Sequence, residues 1–433
     1  MATEQPPKTP TKPTIKLTKE LRELLEVLEN TSENVFLSGK AGTGKSTFLR
    51  YFRSITKKNV VVLAPTGIAA VGIQGQTIHS FFKFGIDTTL NDVEPVAKSA
   101  IYKKIDLLVI DEISMVRSDL FDCMEKFMRL NGREKHLPFG GVQLLVIGDL
   151  HQLPPVVKRN GEENIFTELY EGPHFFDAMS YRSAEFKKME LTHVFRQNQK
   201  HFIEALDAIR INKYTAKHLK LINDRVAKNN DHELDFTISI VTTNKTADEI
   251  NKKKLESLST KKKVYKGAIQ GKFKETLPTD ESLELKCGSQ VMLIKNDPEG
   301  RFVNGDIGKV KSLTDSEVEV IFESGKCVSV SSETWNNINF KLDSAKRKIE
   351  TETVGSFTQI PIKLAWAITI HKAQGKTFDK VHIDMGRGAF DSGQTYVALS
   401  RARTLEGITL KQPIYPRDIY TNSRVDAFMS NDR

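Results

Sequence analysis

The stretch "GKAGTGKST" places Gly39, Gly44, Lys45 and Ser46 in the spacing G-x-x-x-x-G-K-[ST]. Between a strand and a helix, those residue types bind the phosphates of a nucleoside triphosphate. The glycines let backbone N–H groups, those of Ala41, Gly42, Thr43 and Thr47 included, curl around phosphate oxygens. The N-terminus of the following helix adds positive potential. Lys45 reaches the β- and γ-phosphates, and Ser46 offers a hydroxyl to Mg²⁺. Further along, "LLVIDE" runs apolar residues directly into Asp111 and Glu112. Asp111 suits the Mg²⁺ shell, and Glu112 can orient or deprotonate an attacking water. "VIGDLHQLPPV" repeats the device: Gln152 can donate an amide hydrogen to the γ-phosphate and accept one from water, while Pro154 and Pro155 fix the loop's exit.

Two later segments, "LTHVFRQ" (191–197) and "VALSRAR" (397–403), each bring arginine to the edge of an apolar run, as Arg196, Arg401 and Arg403. A guanidinium beside the γ-phosphate stabilises the charge that develops in the transition state, an effect of about 10³–10⁵ in rate. With both Arg196 and Arg401 on a second domain, triphosphate binding draws two domains together and hydrolysis lets them part. Such a cycle is mechanical, and a simple switch does not need it.

These groups must be held by a scaffold, and the chain contains one. "NVFLSG" (34–39), "NVVVLAP" (59–65), "IDLLVIDE" (105–112) and "VQLLVIGD" (142–149) are continuous apolar runs separated by helix-like stretches. That alternation predicts an α/β fold with a parallel sheet covered on both faces. "FTISIVTTN" (236–244) and "DKVHIDMG" (379–386) form a second such set. Between them, residues 257–350 carry short strands with Gly-bearing turns, the texture of a small β-barrel inserted into the second domain. The expected division is a flexible Pro/Thr/Lys-rich segment at 1–16, a first domain at 17–185, a second domain at 186–256 and 351–433, and the insertion at 257–350.

Composition narrows the partners. There are 64 Lys and Arg against 55 Asp and Glu, a net charge of +9, which favours a polyanion. The "KKK" clusters at 252–254 and 261–263 read singly as solvated surface. No apolar run approaches the roughly 18 residues that span a bilayer, so no membrane partner is expected. Cys123, Cys287 and Cys327 are odd in number and widely spaced, which suits a reducing interior and neither a disulfide framework nor a zinc site. The cytoplasm is the expected compartment for a bacterial or viral source, and the nucleus or mitochondrion for a eukaryotic one.

The ordered set "GKAGTGKS", "APTGIAA", "TIHSFF", "VIDEISMV", "PFGGVQLLVIGDLHQLPPV", "LTHVFRQ", "AWAITIHKAQGKTFDKV" and "YVALSRAR" resembles the superfamily 1B DNA helicases, and within them the petite-integration-frequency helicase family. The resemblance extends from about Asn34 to Leu410. It implies two RecA-like P-loop domains with parallel sheets, a small wedge insertion in the first and an SH3-like β-barrel insertion in the second. It also implies ATP with Mg²⁺ in the interdomain cleft, and 5′→3′ movement on single-stranded DNA. Forked duplexes, RNA–DNA hybrids and G-quadruplexes are the implied substrates, and a monomer is expected in solution. By similarity, Lys45, Ser46, Asp111, Glu112 and Gln152 keep the roles above, Arg196 and Arg401 match the catalytic arginines, and Gly375 lies near the γ-phosphate. Relatives place a glutamine ahead of the P-loop to read adenine; none lies between Gln5 and Gly39, so hydrolysis of other triphosphates is expected too.

The expected DNA track follows from where hydroxyl, amide, imidazole and ammonium groups meet strand ends: Thr66, His79, Ser80, Thr243, Asn244, His371 and Lys372. Residues 71–86 resemble the wedge, with Phe81, Phe82 and Phe84 either parting strands or serving as core. Phe121, Met124, Phe127 and Met128 recur at helical spacing and read as core. Two other functions compete with a helicase. A nucleotide-gated DNA-binding protein would leave Glu112, Arg196 and Arg401 idle, and the motor subunit of an ATP-dependent nuclease would need its nuclease carboxylates from a partner.

Overall fold

The computed structural model describes residues 17–430 apart from 86, 158–165, 167–168, 228–234, 274–276, 298 and 344. The segment 1–16, expected to be flexible, lies outside the described residues. Among these residues the first lobe is built on six strands: β1 (Asn34–Gly39), β2 (Val60–Ala64), β3 (Gln76–Thr77), β4 (Leu107–Ile110), β5 (Gln143–Gly148) and β6 (Phe186–Leu191). They lie in the order β3-β2-β4-β5-β1-β6, every neighbouring pair parallel. The apolar runs are continuous because both faces are covered. Phe36, Val61, Leu63, Leu108, Ile110, Leu144 and Val146 pack into one core, while Val35, Leu37, Val62, Leu107, Val109, Leu145 and Ile147 pack into the core on the other side.

Strand β6 departs from the expected division, in which residue 186 opens the second domain. It pairs with β1 along its whole length, from Asn34 opposite Phe186 to Gly39 opposite Leu191. Its sequence, "FKKMEL", reads as an amphiphilic edge strand, and only the pairing shows to which sheet it belongs.

The second lobe has a four-stranded parallel sheet in the order Ala367–Thr369, Ile238–Val241, Val381–Asp384, Ile408–Leu410. Its core takes in Ala41 and Leu153 from loops of the first lobe, so the lobes meet through packed side chains. The chain between Ser257 and Ile362 is antiparallel. Gln290–Leu293, Ile307–Leu313, Glu317–Phe322 and Cys327–Ser331 form a sheet closed by Ile362–Leu364, over a core that includes Leu283, Val291, Val318 and Val330. A long hairpin, Glu333–Asp343 with Lys348–Gln359, crosses the expected boundary at residue 350. It reaches the first lobe, where the Phe340 and Phe81 rings lie 5.9 Å apart and Gln76 Nε2 donates to Asn339 Oδ1 at 2.8 Å. The helix Ser423–Ser430 also crosses: Phe428 stacks on Phe176 at 4.2 Å between centroids. No helix of the described residues is long and apolar enough to cross a membrane.

The aromatic question in the wedge region is decided by burial. Phe81 and Phe82 are buried in the first-lobe core and Phe84 packs against it, in a cluster with Tyr102 and Phe127. None of the three stands out into solvent as a separating edge. Phe121, Met124, Phe127 and Met128 are core, as their spacing indicates.

Candidate nucleotide site and nucleic-acid interface

The strand order sets the site. Strand β5 lies between β4 and β1, so the loops after all three emerge side by side at the carboxyl edge of the sheet. After β1 the loop turns through Gly42 (φ +82°) and Gly44 (φ +87°) into the helix Lys45–Ile55. These are left-handed conformations that favour glycine. A β-carbon at Gly42 would also collide with the Cβ of Arg196, and one at Gly44 would meet the Phe195 ring at 3.6 Å. The loop is therefore pressed against the "VFRQ" segment, where Phe195 N–H donates to Gly42 O at 2.9 Å.

Lys45 is folded onto its own loop, donating to the carbonyls of Gly39 and, at 3.0 Å, Lys40. Burial lowers its pKa, and Asp149, Glu112 and Asp111 act in the opposite direction. Asp111 is buried at the end of β4 and accepts the N–H of Glu112 at 3.0 Å. Glu112 adopts φ +52°, ψ +44°, a costly conformation for this residue type, and its side chain lines the site. Burial raises both carboxyl pKa values; Glu112 adds to the effect on Asp111, while Lys45 and Arg401 counter it at Glu112.

Lys45 and Glu112 face a cavity of about 520 Å³, and Asp111 lies behind Glu112 without lining it. Ala41, Gly42, Thr43, Gly44, Lys45, Ser46, Thr47, Glu112 and Gln152 line it from the first lobe, Gly375, Arg401 and Arg403 from the second. Gly39 stands behind the cavity; a β-carbon there would meet Thr43 Oγ1 at 2.8 Å. Arg401 is 1% exposed. Its Nε donates to Val397 O at 2.8 Å, Nη2 to Ser400 Oγ at 2.7 Å, and Nη1 to the carbonyls of Ala373 (3.4 Å) and Lys376 (3.3 Å). Burial first and Arg196 second disfavour its charge, and an anion in the cavity relieves both.

The two arginines do not share an origin, contrary to the expectation that both come from the second domain. Arg196 follows β6 directly and abuts Gly42, so it is held on the first lobe, and its Nη1 reaches across to Ser400 O at 3.2 Å. Only Arg401 and Arg403 are delivered by the opposite lobe. Arg403 is half exposed and pairs with Asp379 at 3.3 Å.

Several residues escaped the motif reading. Gln374 Nε2 donates across the cleft to Glu112 Oε2 at 3.0 Å; its place beside Gly375 in "HKAQGKT" was the available signal. Tyr396 accepts the Ala41 N–H through its hydroxyl at 3.0 Å. Phe195 is 51% exposed and lines the cavity with Arg50. Asp149 forms a buried ion pair with Arg210. Arg210 ends an amphipathic helix, where a cation is ordinary, and nothing in its sequence setting marks it out.

The DNA candidates divide into two banks. Thr243, Asn244, His371 and Lys372 line one cavity of about 340 Å³, together with Thr242, Thr369 and the exposed Phe390. Thr66, His79 and Ser80 lie on the first lobe and do not line that cavity. Thr66 and Thr243 each use the hydroxyl to cap the helix that follows, accepting from Ala69 N and Thr246 N. Ser80 Oγ accepts from Gln76 Nε2 at 3.1 Å. His79 is partly buried, and burial first, then Arg117, lowers its pKa. Between the banks, a crevice lined by Ile68 and Val71 of the first lobe also holds Lys363, Lys372 and Lys376. Burial, with Lys363 adding, pulls Lys376 down to about 8, and burial lowers Lys363 too, while Lys372 is exposed and Asp248 also lines the crevice.

A PIF1-like helicase family model matches residues 16–232, and a model of the UvrD-like helicase C-terminal domain matches 364–407. The ATP-dependent DNA helicase Pif1 of Bdellovibrio bacteriovorus is 32% identical, over 88% of this chain and 85% of that protein. The ATP-dependent DNA helicase PIF1 of Emericella nidulans is 34% identical over 92% of this chain, which spans 61% of that longer protein. Pif1 from Bacteroides sp. in complex with ADP-AlF4 is 37% identical, with a TM-score of 0.89 covering 96% of this chain and 97% of that one. Bacteroides Pif1 bound to ssDNA, over the same shares of both chains, gives 38% identity and a TM-score of 0.68.

Proposed function

The chain belongs to the PIF1-like helicase family, and from that premise we propose that it is an ATP-dependent helicase that moves 5′→3′ on single-stranded DNA and opens forked duplexes. RNA–DNA hybrids and G-quadruplexes are included in its range. The observation that carries this reading is the single cavity lined by the phosphate loop of one lobe and Arg401 of the other.

The chemistry follows from the positions. Lys45 leaves the loop carbonyls for the β- and γ-phosphates, where its charge is better matched. Glu112, its carboxylate held by Gln374, orients the attacking water and takes its proton. Arg196 approaches the γ-phosphate from the first lobe and Arg401 from the second, so charge stabilisation is complete only with the lobes together. Ser46 and Asp111 would hold Mg²⁺: a hydroxyl and a carboxylate beside phosphate oxygens form the hard-oxygen set this ion takes, and it would neutralise phosphate charge there. On the far side, the lysine crevice and the cavity at Thr243, Asn244, His371 and Lys372 hold the strand, with Thr66, His79 and Ser80 on the opposite bank. The insertion is of the SH3-like kind, and its hairpin braces the wedge region at Phe81.

Unwinding costs about 1.4 kcal/mol per base-pair step, while stacking a freed base returns about 1–3 kcal/mol. Strand separation is thus near balance, and hydrolysis sets its direction. The test is an ATP-dependent unwinding assay on matched forks with a 5′ or a 3′ single-stranded tail. Unwinding is expected from the 5′ tail only; none from either tail, with hydrolysis intact, would leave the nucleotide-gated DNA-binding protein as the better reading.

Base recognition rests on a flat ring. Phe195 offers an exposed aromatic face in the cavity, and stacking does not distinguish purines. Phe195→Ala is expected to raise KM for ATP and GTP alike by about fivefold, corresponding to about 1 kcal/mol of stacking. A rise confined to ATP would show that an edge contact, not the ring, reads the base. On the DNA side, Lys372→Ala is expected to reduce the slope of log affinity against log salt by about 0.7, the share of one single-strand phosphate. Fluorescence titrations across salt concentration check it, and an unchanged slope removes Lys372 from the phosphate track.

A further inference from the structure

Asp149, just beyond β5, is 1% exposed and sits where the lobes join. Its Oδ1 accepts two hydrogen bonds from Arg210, from Nε at 3.0 Å and Nη2 at 2.8 Å. Its Oδ2 accepts Nε2 of Gln152 at 3.1 Å. Arg210 closes the second-lobe helix Lys200–Arg210 and is itself 5% exposed. A buried carboxylate persists only when paired and hydrogen-bonded, and this one is fully engaged. Burial works against its charge, but Arg210, Lys45 and His151 together outweigh it and hold Asp149 down at about 2.

An ionised carboxylate can only accept. Gln152 must therefore present its –NH2 to Asp149, which fixes which way round the amide sits. The carbonyl oxygen Oε1 is turned from the carboxylate, and Gln152 is among the residues lining the nucleotide cavity. Without Asp149 the amide could rotate, or flip end for end, and offer –NH2 where a water needs an acceptor. Arg210 does not line the cavity, and its hydrogen bonds go to Asp149; beyond them it acts on the cavity as a like charge on Lys45.

We propose that Arg210 is a positioning residue for hydrolysis: through Asp149 it holds the amide of Gln152 with Oε1 available to the attacking water. Because Arg210 belongs to the second lobe and Asp149 and Gln152 to the first, the carboxylate that orients the amide is anchored only while the lobes are in contact. This rests on the reading of the cavity as a triphosphatase site. It adds a further dependence on lobe contact beside those of Arg401 and Gln374, acting on the water and not on the phosphate.

The test is a double-substitution cycle on the full chain, measuring DNA-stimulated ATP hydrolysis and the affinity for a fluorescent ADP analogue. Arg210→Gln is expected to lower kcat by about 10²-fold, the effect of a small misplacement at the reacting centre, with ADP affinity unchanged within about twofold. Gln152→Ala is expected to lower kcat similarly. The double variant is expected to be no worse than the poorer single variant, because both act through one amide. Effects that multiply, or ADP affinity falling along with kcat, would make the ion pair a plain lobe latch and overturn the proposal. Arg210→Lys, which keeps the charge but not the two-pronged contact, is read by the same cycle should Arg210→Gln fail to fold. A full rate in Gln152→Ala alone would instead overturn the reading of the cavity on which the proposal rests.

Discussion

Arg401→Ala is expected to lower the turnover number by about 10³–10⁵-fold while nucleotide affinity stays within a few-fold. The asymmetry follows from geometry. Arg401 is held by Val397, Ser400, Ala373 and Lys376, so its guanidinium is already in place ahead of any phosphate. A preorganised donor acts mainly where charge develops, in the transition state, and little on the bound ground state. Arg401→Lys is not expected to rescue, because an ammonium cannot reproduce a fork spread over several acceptors. Single-turnover hydrolysis, with nucleotide affinity measured alongside, checks this; unchanged turnover would place Arg401 outside the chemistry. The variant also leaves buried carbonyls without a donor, so its melting temperature must be read beside its rate.

Lys45→Ala is expected to cost at least about 10²–10³-fold in turnover, the scale of one lost electrostatic donor. DNA binding in nucleotide-free buffer is expected to be unaffected. Lys45 counters Asp111 and shares in countering Glu112 with Arg401 and Asp149 with Arg210, so its removal leaves buried acids less compensated before an incoming polyanion. Nucleotide affinity should therefore fall along with turnover, in contrast to Arg401→Ala. Normal hydrolysis in Lys45→Ala would show that the loop at Gly39–Ser46 is not the catalytic phosphate site.

The two substitutions separate the halves of the cleft. Lys45 belongs to a loop formed wholly within one strand–loop–helix unit, whereas Arg401 matters only through the placement of one lobe on the other. Phe195 stands between these cases. Its ring is set by the contact of β6's exit with the phosphate loop, which the pairing of β6 with β1 dictates.

Much of the nucleotide site is legible in the order of the amino acids. The phosphate loop, the acids after β4 and the glutamine after β5 are short-range features. An apolar run buried on both faces demands a strand, glycines at φ above zero demand a turn, and the polar residues that follow are thereby presented at the strand's end. The burial of Phe121, Met124, Phe127 and Met128 can be read in the same way, from spacing alone.

Other features leave no local trace. Strand β6 has an amphiphilic sequence that suits an edge in either lobe, and only hydrogen bonding to β1 assigns it to the first. The Arg210–Asp149, Gln374–Glu112 and Tyr396–Ala41 contacts join residues 61, 262 and 355 positions apart. Hydrophobic periodicity records which face of an element is buried, and not which distant element covers it. The residues that could bind and cleave a triphosphate are therefore written in the chain order. Which lobe each arginine comes from, and which way round the amide of Gln152 is held, are decided only when strand order and lobe packing bring distant charges into a shared, water-poor space where each has to find a partner.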